Sequence, residues 1–238
     1  MKIDVAFLPK DTNGIDLSHT VCIVLDIFRA TTCIVTAMAN GCSRIFPVLT
    51  MEDAHVLASQ MGSALLAGER QSIKIEGCDI GNSPFEFCQD KVQDKTIIMT
   101  TTNGTVAIKS TQGAYCTLIG SFVNAKAVCQ KALEYGKDIL IVCAGTDGLF
   151  SLEDTLCAGL LVQLSQTEDE IQMTDAAIGT LFMYTQAKDK LIETATQSRN
   201  GKRLFDLNRL SDINYCLTID TLDLVPQYKE GKIVVEHR

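Results

Sequence analysis

VCIVLDIFRATT, residues 21–32, starts as a buried strand and ends as something else. Val21 to Leu25 are all apolar and mostly β-branched. A continuous apolar run, rather than strict alternation, belongs to a sheet covered on both faces. Directly after it, Asp26, Arg29, Thr31 and Thr32 crowd into one turn, and a helical pattern starts near Thr31. A buried strand running through a polar turn into a helix is the repeating unit of a parallel α/β sheet. In such sheets ligands bind outside the carboxyl ends of the strands, so the position of Asp26 predicts a cleft.

The same unit recurs along the chain. Strands are predicted at Lys2–Phe7, Val21–Leu25, Arg44–Val48, Ala64–Ala67, Thr96–Met99, Tyr115–Leu118 and Asp138–Val142. Helices are predicted to start near Thr31, Met51, Thr105, Asn124, Leu152 and Thr174. This alternation argues for an α/β fold with a largely parallel sheet. A charged, exposed turn is expected at Thr167–Glu170, a helix at Thr174–Lys188, and two strands around a turn at Lys229–Gly231 near the end. No linker rich in Pro, Gly or Ser cuts the chain, so residues 1–238 read as a single domain. VCIVLDIFRATT, TIIMTTTNGT and ILIVCAGTDG share a shape, which leaves a duplicated pair of subdomains open, with no boundary set.

Composition excludes several function classes. Apolar residues make up 46% of the 238, enough for a sizeable core. The formal charge is −8 and no basic run occurs, which argues against nucleic acid or an anionic membrane as partner. No apolar run approaches a membrane span. The N-terminus, MKIDVAFL, has no long apolar segment, so no signal peptide is read and a cytoplasmic location is expected. The ten cysteines stand singly, mostly inside apolar runs, with no C-x-x-C. They read as reduced, buried small hydrophobes. The sequence leaves a homo-oligomer open.

Four predicted strands end in polar clusters. The first gives Asp26, Arg29, Thr31 and Thr32; Ala64–Ala67 gives Glu69 and Arg70; Thr96–Met99 gives Thr100 to Asn103 and then Gly104; Asp138–Val142 gives Cys143, Gly145 and Asp147, followed by Glu153 and Asp154. Each has a plainer reading. Asp26 can cap the following helix, Arg29 and Arg70 can form surface ion pairs, TTTNGT can be a simple turn, and Ser151 can cap a helix over Asp154. Cys143 reads either as a reactive thiol or as packing. Parallel strands would bring all four turns to one edge, and there the mix suits one chemistry. Arg forks bind oxyanions, and carboxylates without a His or Cys ligand pattern suit Mg²⁺. Together they are the tools of phosphoryl transfer. No G-x-x-x-x-G-K-[ST] or G-x-G-x-x-G occurs, and His19, His55 and His237 form no recognisable triad or zinc motif.

In order, LDIFRATT, GERQSIKIEGCDIGNSP, TTNGT, GSFVNA and CAGTDGLFSLED resemble the 2-phosphosulfolactate phosphatase family, from about Val21 to Gly159, with the late VPQYKEGKIV similar as well. The resemblance implies a Mg²⁺-dependent acid phosphatase with a three-layer α/β/α fold. Its reaction would convert 2-phospho-3-sulfolactate to 3-sulfolactate and phosphate, a step in coenzyme M biosynthesis. It implies catalytic roles among Asp26, Arg29, Glu69, Asp79 and Glu153, and Mg²⁺ ligands among Asp26, Glu69, Asp79, Glu153 and Asp154. For the small anionic phosphorylated substrate, it implies that Arg29 and Arg70 pair with two of its charged groups. The Thr101-Thr102-Asn103-Gly104 turn would hold a third, with Thr31, Thr32, Asn82, Ser83 and Gly145 alongside. This chain departs from the pattern at Phe28, where Leu is usual, at Cys78, where Phe is common, and at Ser72, where Gly is expected. An aspartyl-phosphate enzyme would carry a second Asp where Phe28 stands, so attack by a metal-activated water is favoured over a covalent intermediate. The competing readings are a phosphatase of another phosphorylated hydroxy acid and a non-catalytic binder of a small anion.

Overall fold

The computed structural model describes residues 1–166 and 171–236. The charged turn expected at Thr167–Glu170 and the residue His237 lie outside the described residues. Strands β1 (Lys2–Ala6), β2 (Thr20–Leu25), β3 (Arg44–Pro47), β4 (Ala64–Arg70), β5 (Ile73–Lys74), β6 (Thr96–Thr100), β7 (Cys116–Gly120), β8 (Asp138–Cys143), β9 (Gln172–Met173), β10 (Gln227–Lys229) and β11 (Lys232–Val234) form one sheet. Its order is β5-β4-β6-β3-β11-β10-β7-β2-β8-β1-β9. Helices are α1 (Ala30–Ala39), α2 (Met51–Met61), α3 (Gln89–Val92), α4 (Gly104–Ser110), α5 (Ala125–Glu134), α6 (Leu152–Ser165), α7 (Asp175–Ala187), α8 (Leu191–Thr196), α9 (Arg199–Asp206) and α10 (Leu210–Cys216). No helix among the described residues is long and apolar enough to cross a membrane.

The expected three-layer α/β arrangement is present, and β2 shows why. Its side chains alternate between the two faces. Val21, Ile23 and Leu25 enter one core with Val128 of α5, Leu156 of α6 and Ala177 of α7, while Cys22 and Val24 enter another with Ile34 of α1 and Ile108 of α4. Both faces of the strand are dry, as its unbroken apolar run requires. Eight of the ten cysteines are buried and all ten are free thiols, in line with their reading as packing residues.

The sheet is not parallel throughout. β7, β2, β8, β1 and β9 run parallel to one another, as do β3, β6 and β4. The hairpin β10–β11 pairs antiparallel with β7 on one side and β3 on the other, so the two parallel sets run in opposite senses. The expectation that parallel strands bring every polar turn to one edge is therefore corrected. Right-handed twist supplies the missing step. At roughly 20–25° per strand, the six steps from β2 to β4 offset most of the reversal, and the carboxyl ends of the two sets face one cleft.

Helices α8, α9 and α10 are not predicted from the sequence. They are short, and α9, RNGKRLFD, is mostly polar, so it docks through the single fully buried apolar side chain of Leu204. Helix α6, by contrast, starts as read: the Ser151 hydroxyl accepts from the Asp154 N–H at 3.3 Å. Further along, α6 approaches the backbone of α7 closely at Gly159. A Cβ at Gly159 would lie 2.2 Å from the Thr180 carbonyl oxygen and 2.6 Å from Tyr184 Cβ. Gly159→Ala is expected to force the helices apart and destabilise the protein by about 1–3 kcal/mol, read as a lower urea midpoint. An unchanged midpoint would show that the crossing has slack.

Candidate active site

Asp26 follows the last residue of β2 and is 6% exposed. Its carboxylate receives only a long contact, 3.4 Å, from the Ala30 N–H, so it does not cap α1 in the way the plainer reading expects. Its backbone is held instead: the Asp26 N–H donates to Thr31 Oγ1 at 2.9 Å, and that hydroxyl donates to the Asp26 carbonyl at 3.1 Å. Thr32 likewise donates to the Ile27 carbonyl at 3.1 Å. Both threonines are fully buried and spend their hydroxyls shaping this turn.

Three other strand ends surround Asp26. Glu69, at the end of β4, accepts from the Thr102 N–H at 2.8 Å and the Ser72 N–H at 2.7 Å. Those two bonds aim it into the cleft and tie the β4 and β6 turns together. Gly104, after β6, packs so closely that a Cβ there would lie 2.7 Å from Asp26 Oδ2 and 2.5 Å from Ala30 Cβ. The glycine of the Asn-Gly pair is thus required by close approach to Asp26. From the β8 side, Asp154 clamps the backbone, accepting from the Ile27 N–H at 2.8 Å and the Gly145 N–H at 3.1 Å.

The electrostatics follow from this crowding. Burial, and next the charge of Glu69, push the Asp26 carboxyl up to about 7. Glu153 adds to the shift, while the Ala30 N–H and Arg29 oppose it. Burial also raises Glu153, against hydrogen bonds from its own backbone, Ser198 and Ser151. Asp154 is raised by burial and then by the charges of Glu153 and Asp26.

The cavity over Asp26 is walled by Glu69, Asn82, Thr102 and Asn103 on the strand side and by Phe28, Ser72, Asn200 and Arg203 on the other. It has about 10 Å³ of space, enough for a single water-sized occupant. A larger groove, about 730 Å³, lies at the opposite end of β7 beside Tyr115 and Tyr228; it contains none of the clustered strand-end groups. Two oxygens in the Asp26 cavity, Asn82 Oδ1 and Thr102 Oγ1, are buried without a hydrogen-bond partner, and so is Glu153 Oε2 behind it. Buried orphan oxygens are costly unless something binds them.

These groups fit Mg²⁺. It takes hard oxygen donors, is usually held by one or two carboxylates, and keeps waters and substrate phosphate as its other ligands. Glu69 with Asn82 Oδ1 and Thr102 Oγ1, next to Asp26, is such a donor set. Among the described residues no three His, Cys, Asp or Glu side chains form a cage by themselves, so the expected pool of five carboxylates does not assemble as one cluster.

Residues 6–231 match the family described as 2-phosphosulpholactate phosphatase. Three relatives are each called a probable 2-phosphosulfolactate phosphatase. The one from Clostridium acetobutylicum is 40% identical over 98% of this chain and 100% of its own. The one from Clostridium novyi is 38% identical over 98% of this chain and 99% of its own. The one from Carboxydothermus hydrogenoformans is 39% identical over 99% and 98%. The chain belongs to the 2-phosphosulpholactate phosphatase family.

The positions that the family pattern points to divide into two groups. Asp26, Glu69, Asn82, Thr102 and Asn103 line the cavity, Gly104 packs against Asp26, and Glu153 stands behind it. The others are occupied elsewhere. Arg29 is buried in an ion pair with Asp212 of α10 and donates to the Ser72 carbonyl at 2.9 Å; Ser83 donates to the same Asp212 at 2.9 Å. Arg70 is exposed and bonded to the Glu69 carbonyl at 2.7 Å and Thr100 Oγ1 at 3.0 Å. Asp79 is exposed, three residues short of Asn82, and accepts from the Leu66 N–H at 2.8 Å. Thr101 accepts from the Thr105 N–H at 3.1 Å as a helix-turn cap. Asp154 and Gly145 are joined to each other, and Gly145 takes φ +71 with no room for a Cβ. Cys143 is buried, and burial beside Asp154 pushes its thiol well up, so the reactive-thiol reading is set aside.

The site also contains Ser72, where the chain departs from the family pattern, and residues of α9 that the family motifs do not flag. Ser72 sits at φ +66, a conformation that favours glycine, which explains why glycine is the expected residue there. In this chain its hydroxyl bonds Asn200 Oδ1 at 3.2 Å. Asn200 also donates to the Phe28 carbonyl, and Arg203 binds Asp147 at 2.6 Å. Helix α9 thereby forms one wall. The only signal for it in the sequence is Arg199, Lys202 and Arg203 close together in an otherwise acidic chain.

Proposed function

We propose that this chain is a Mg²⁺-dependent phosphatase that hydrolyses 2-phospho-3-sulfolactate to 3-sulfolactate and phosphate. The observation that carries the reading is the buried Asp26 carboxyl facing a cavity with Glu69 and two orphan oxygens, in a member of this family. A carboxylate at the mouth of such a cavity is placed to act as a general base towards a water held there. Glu69, oriented by two backbone N–H groups, and the oxygens of Asn82 and Thr102 would hold Mg²⁺. When bound, the ion would neutralise phosphoryl oxygens and stabilise the charge that develops on them.

The chain's own residues divide the remaining work. Asp26 accepts the proton of the attacking water as the new P–O bond forms. The bond from phosphorus to the C2 oxygen breaks, and the departing oxygen takes a proton from solvent. Asp154 keeps the β2 and β8 turns in register so that Asp26 stays aimed. Asp26 afterwards returns its proton to solvent, which balances the one taken by the departing oxygen.

The test is phosphate release from 2-phospho-3-sulfolactate with Mg²⁺ and with EDTA. Release that depends on Mg²⁺ is the expected result. No release from this substrate, 2-phospholactate or p-nitrophenyl phosphate under either condition would remove the catalytic reading.

A further inference from the structure

We propose that Arg203 of α9 recognises the substrate's second anion, its sulfonate or carboxylate, by exchanging Asp147 for that group. The proposal rests on the phosphatase reading above and names what selects the substrate at the same site.

Charge sets the requirement. The phosphorylated substrate is a polyanion, while the cavity presents Asp26 and Glu69 with Glu153 behind them. A divalent ion addresses the phosphate, and a second anionic group needs a cation of its own. Among the described residues Arg203 is the cationic side chain that lines the cavity. Arg29 is spent on Asp212 and the Ser72 carbonyl, and Arg70 on backbone carbonyls and Thr100.

Arg203 is also placed to change partners. Its contact with Asp147 is 2.6 Å, with the two side chains 27% and 37% exposed. The pair is only partly buried, and exchanging one carboxylate for another oxyanion leaves the guanidinium with an equivalent partner, so the exchange costs little. A guanidinium fork pairs two oxygens of a carboxylate or sulfonate at once. Asp147 itself is tied to the rim, because its N–H donates to Asn103 Oδ1 at 3.2 Å. The pair therefore bridges α9 to the β6 turn across a cavity of about 10 Å³, too small for the substrate. Opening the bridge makes room and frees the guanidinium in the same movement.

The experiment compares wild type, Arg203→Ala and Asp147→Asn on 2-phospho-3-sulfolactate, 2-phospholactate and p-nitrophenyl phosphate, with 3-sulfolactate binding measured by calorimetry. Arg203→Ala is expected to lower kcat/KM for the sulfonated substrate about 10–100-fold more than for p-nitrophenyl phosphate, mainly through KM, as expected for a lost charged hydrogen bond. Asp147→Asn is expected to lower KM for the sulfonated substrate. If the extra loss persists with 2-phospholactate, the carboxylate is the partner; if it disappears, the sulfonate is. Equal losses on all three substrates, or none, overturn the proposal. If wild type hydrolyses nothing, the phosphatase reading fails separately, and calorimetry still decides. Weaker 3-sulfolactate binding by Arg203→Ala supports the role of Arg203, whereas equal affinity, or no binding to wild type, overturns it.

Discussion

Asp26→Asn is expected to lower kcat for phosphate release by about 10²–10⁴-fold, the usual share of a general base, while making the metal-free protein more stable near pH 8. The second half follows from the raised carboxyl. Asp26 goes from 3.8 to about 7 on folding, so the folded protein holds that proton more tightly than the unfolded chain. Its contribution to stability is fully present below pH 4 and is lost as pH rises through 7. With about 1.4 kcal/mol per unit, the loss is on the order of 4 kcal/mol by pH 8. Asparagine cannot ionise and escapes it. Urea midpoints measured in EDTA from pH 4 to pH 8 should therefore fall less steeply for the variant. The difference between the two curves carries the part of Asp26, because Glu153 and Asp154 are raised as well. Parallel curves, or a variant that keeps its turnover, would show that Asp26 is a structural residue and not the base.

Asp212→Ala is expected to have the largest effect on stability. Asp212 and Arg29 are 1% and 3% exposed, and their ion pair joins α10 to the turn after β2. Ser83 donates to the other Asp212 oxygen at 2.9 Å. Removing the carboxylate leaves a guanidinium buried with only the Ser72 carbonyl as partner, and breaking such a pair costs about 3–5 kcal/mol. The urea midpoint should drop accordingly. The double variant Arg29→Met with Asp212→Leu should recover most of the loss, because apolar residues of similar volume often replace a buried pair without penalty. A drop under about 1 kcal/mol in the single variant would mean that Arg29 finds another partner, contrary to its burial. It would also reopen the role in substrate binding that the family pattern assigns to it.

The arginines show where a sequence reading loses its grip. LDIFRATT and GER place Arg29 and Arg70 beside strand ends that do form the cleft, and an arginine near a cleft reads as an anion clamp. Which partner it takes depends on what arrives from elsewhere. Asp212 reaches Arg29 from 183 residues away, on a short helix with no strong periodicity. Asp79 is misleading for a related reason. It lies in a quoted family block, yet it sits three residues before Asn82, and its carboxylate spans back to the Leu66 N–H. Conversely Arg203 and Asn200 belong to none of the quoted motifs, because a polar helix lying over a cavity leaves no hydrophobic pattern to detect.

Local rules were enough for the alternation of strand and helix, the two dry faces of β2, the Ser151 cap, and the places where chemistry could sit. Each of these depends on residues within a turn or two of one another, so the chain spells them out directly. Long-range geometry chose among those places. The β10–β11 hairpin sets two parallel halves in opposite senses, and twist brings their ends back together around Asp26. Burial and the charge of Glu69 then make Asp26 proton-loving, and Asp212, 183 residues away, takes up Arg29. Those outcomes are sums over neighbours in space, and a linear chain does not display its spatial neighbours.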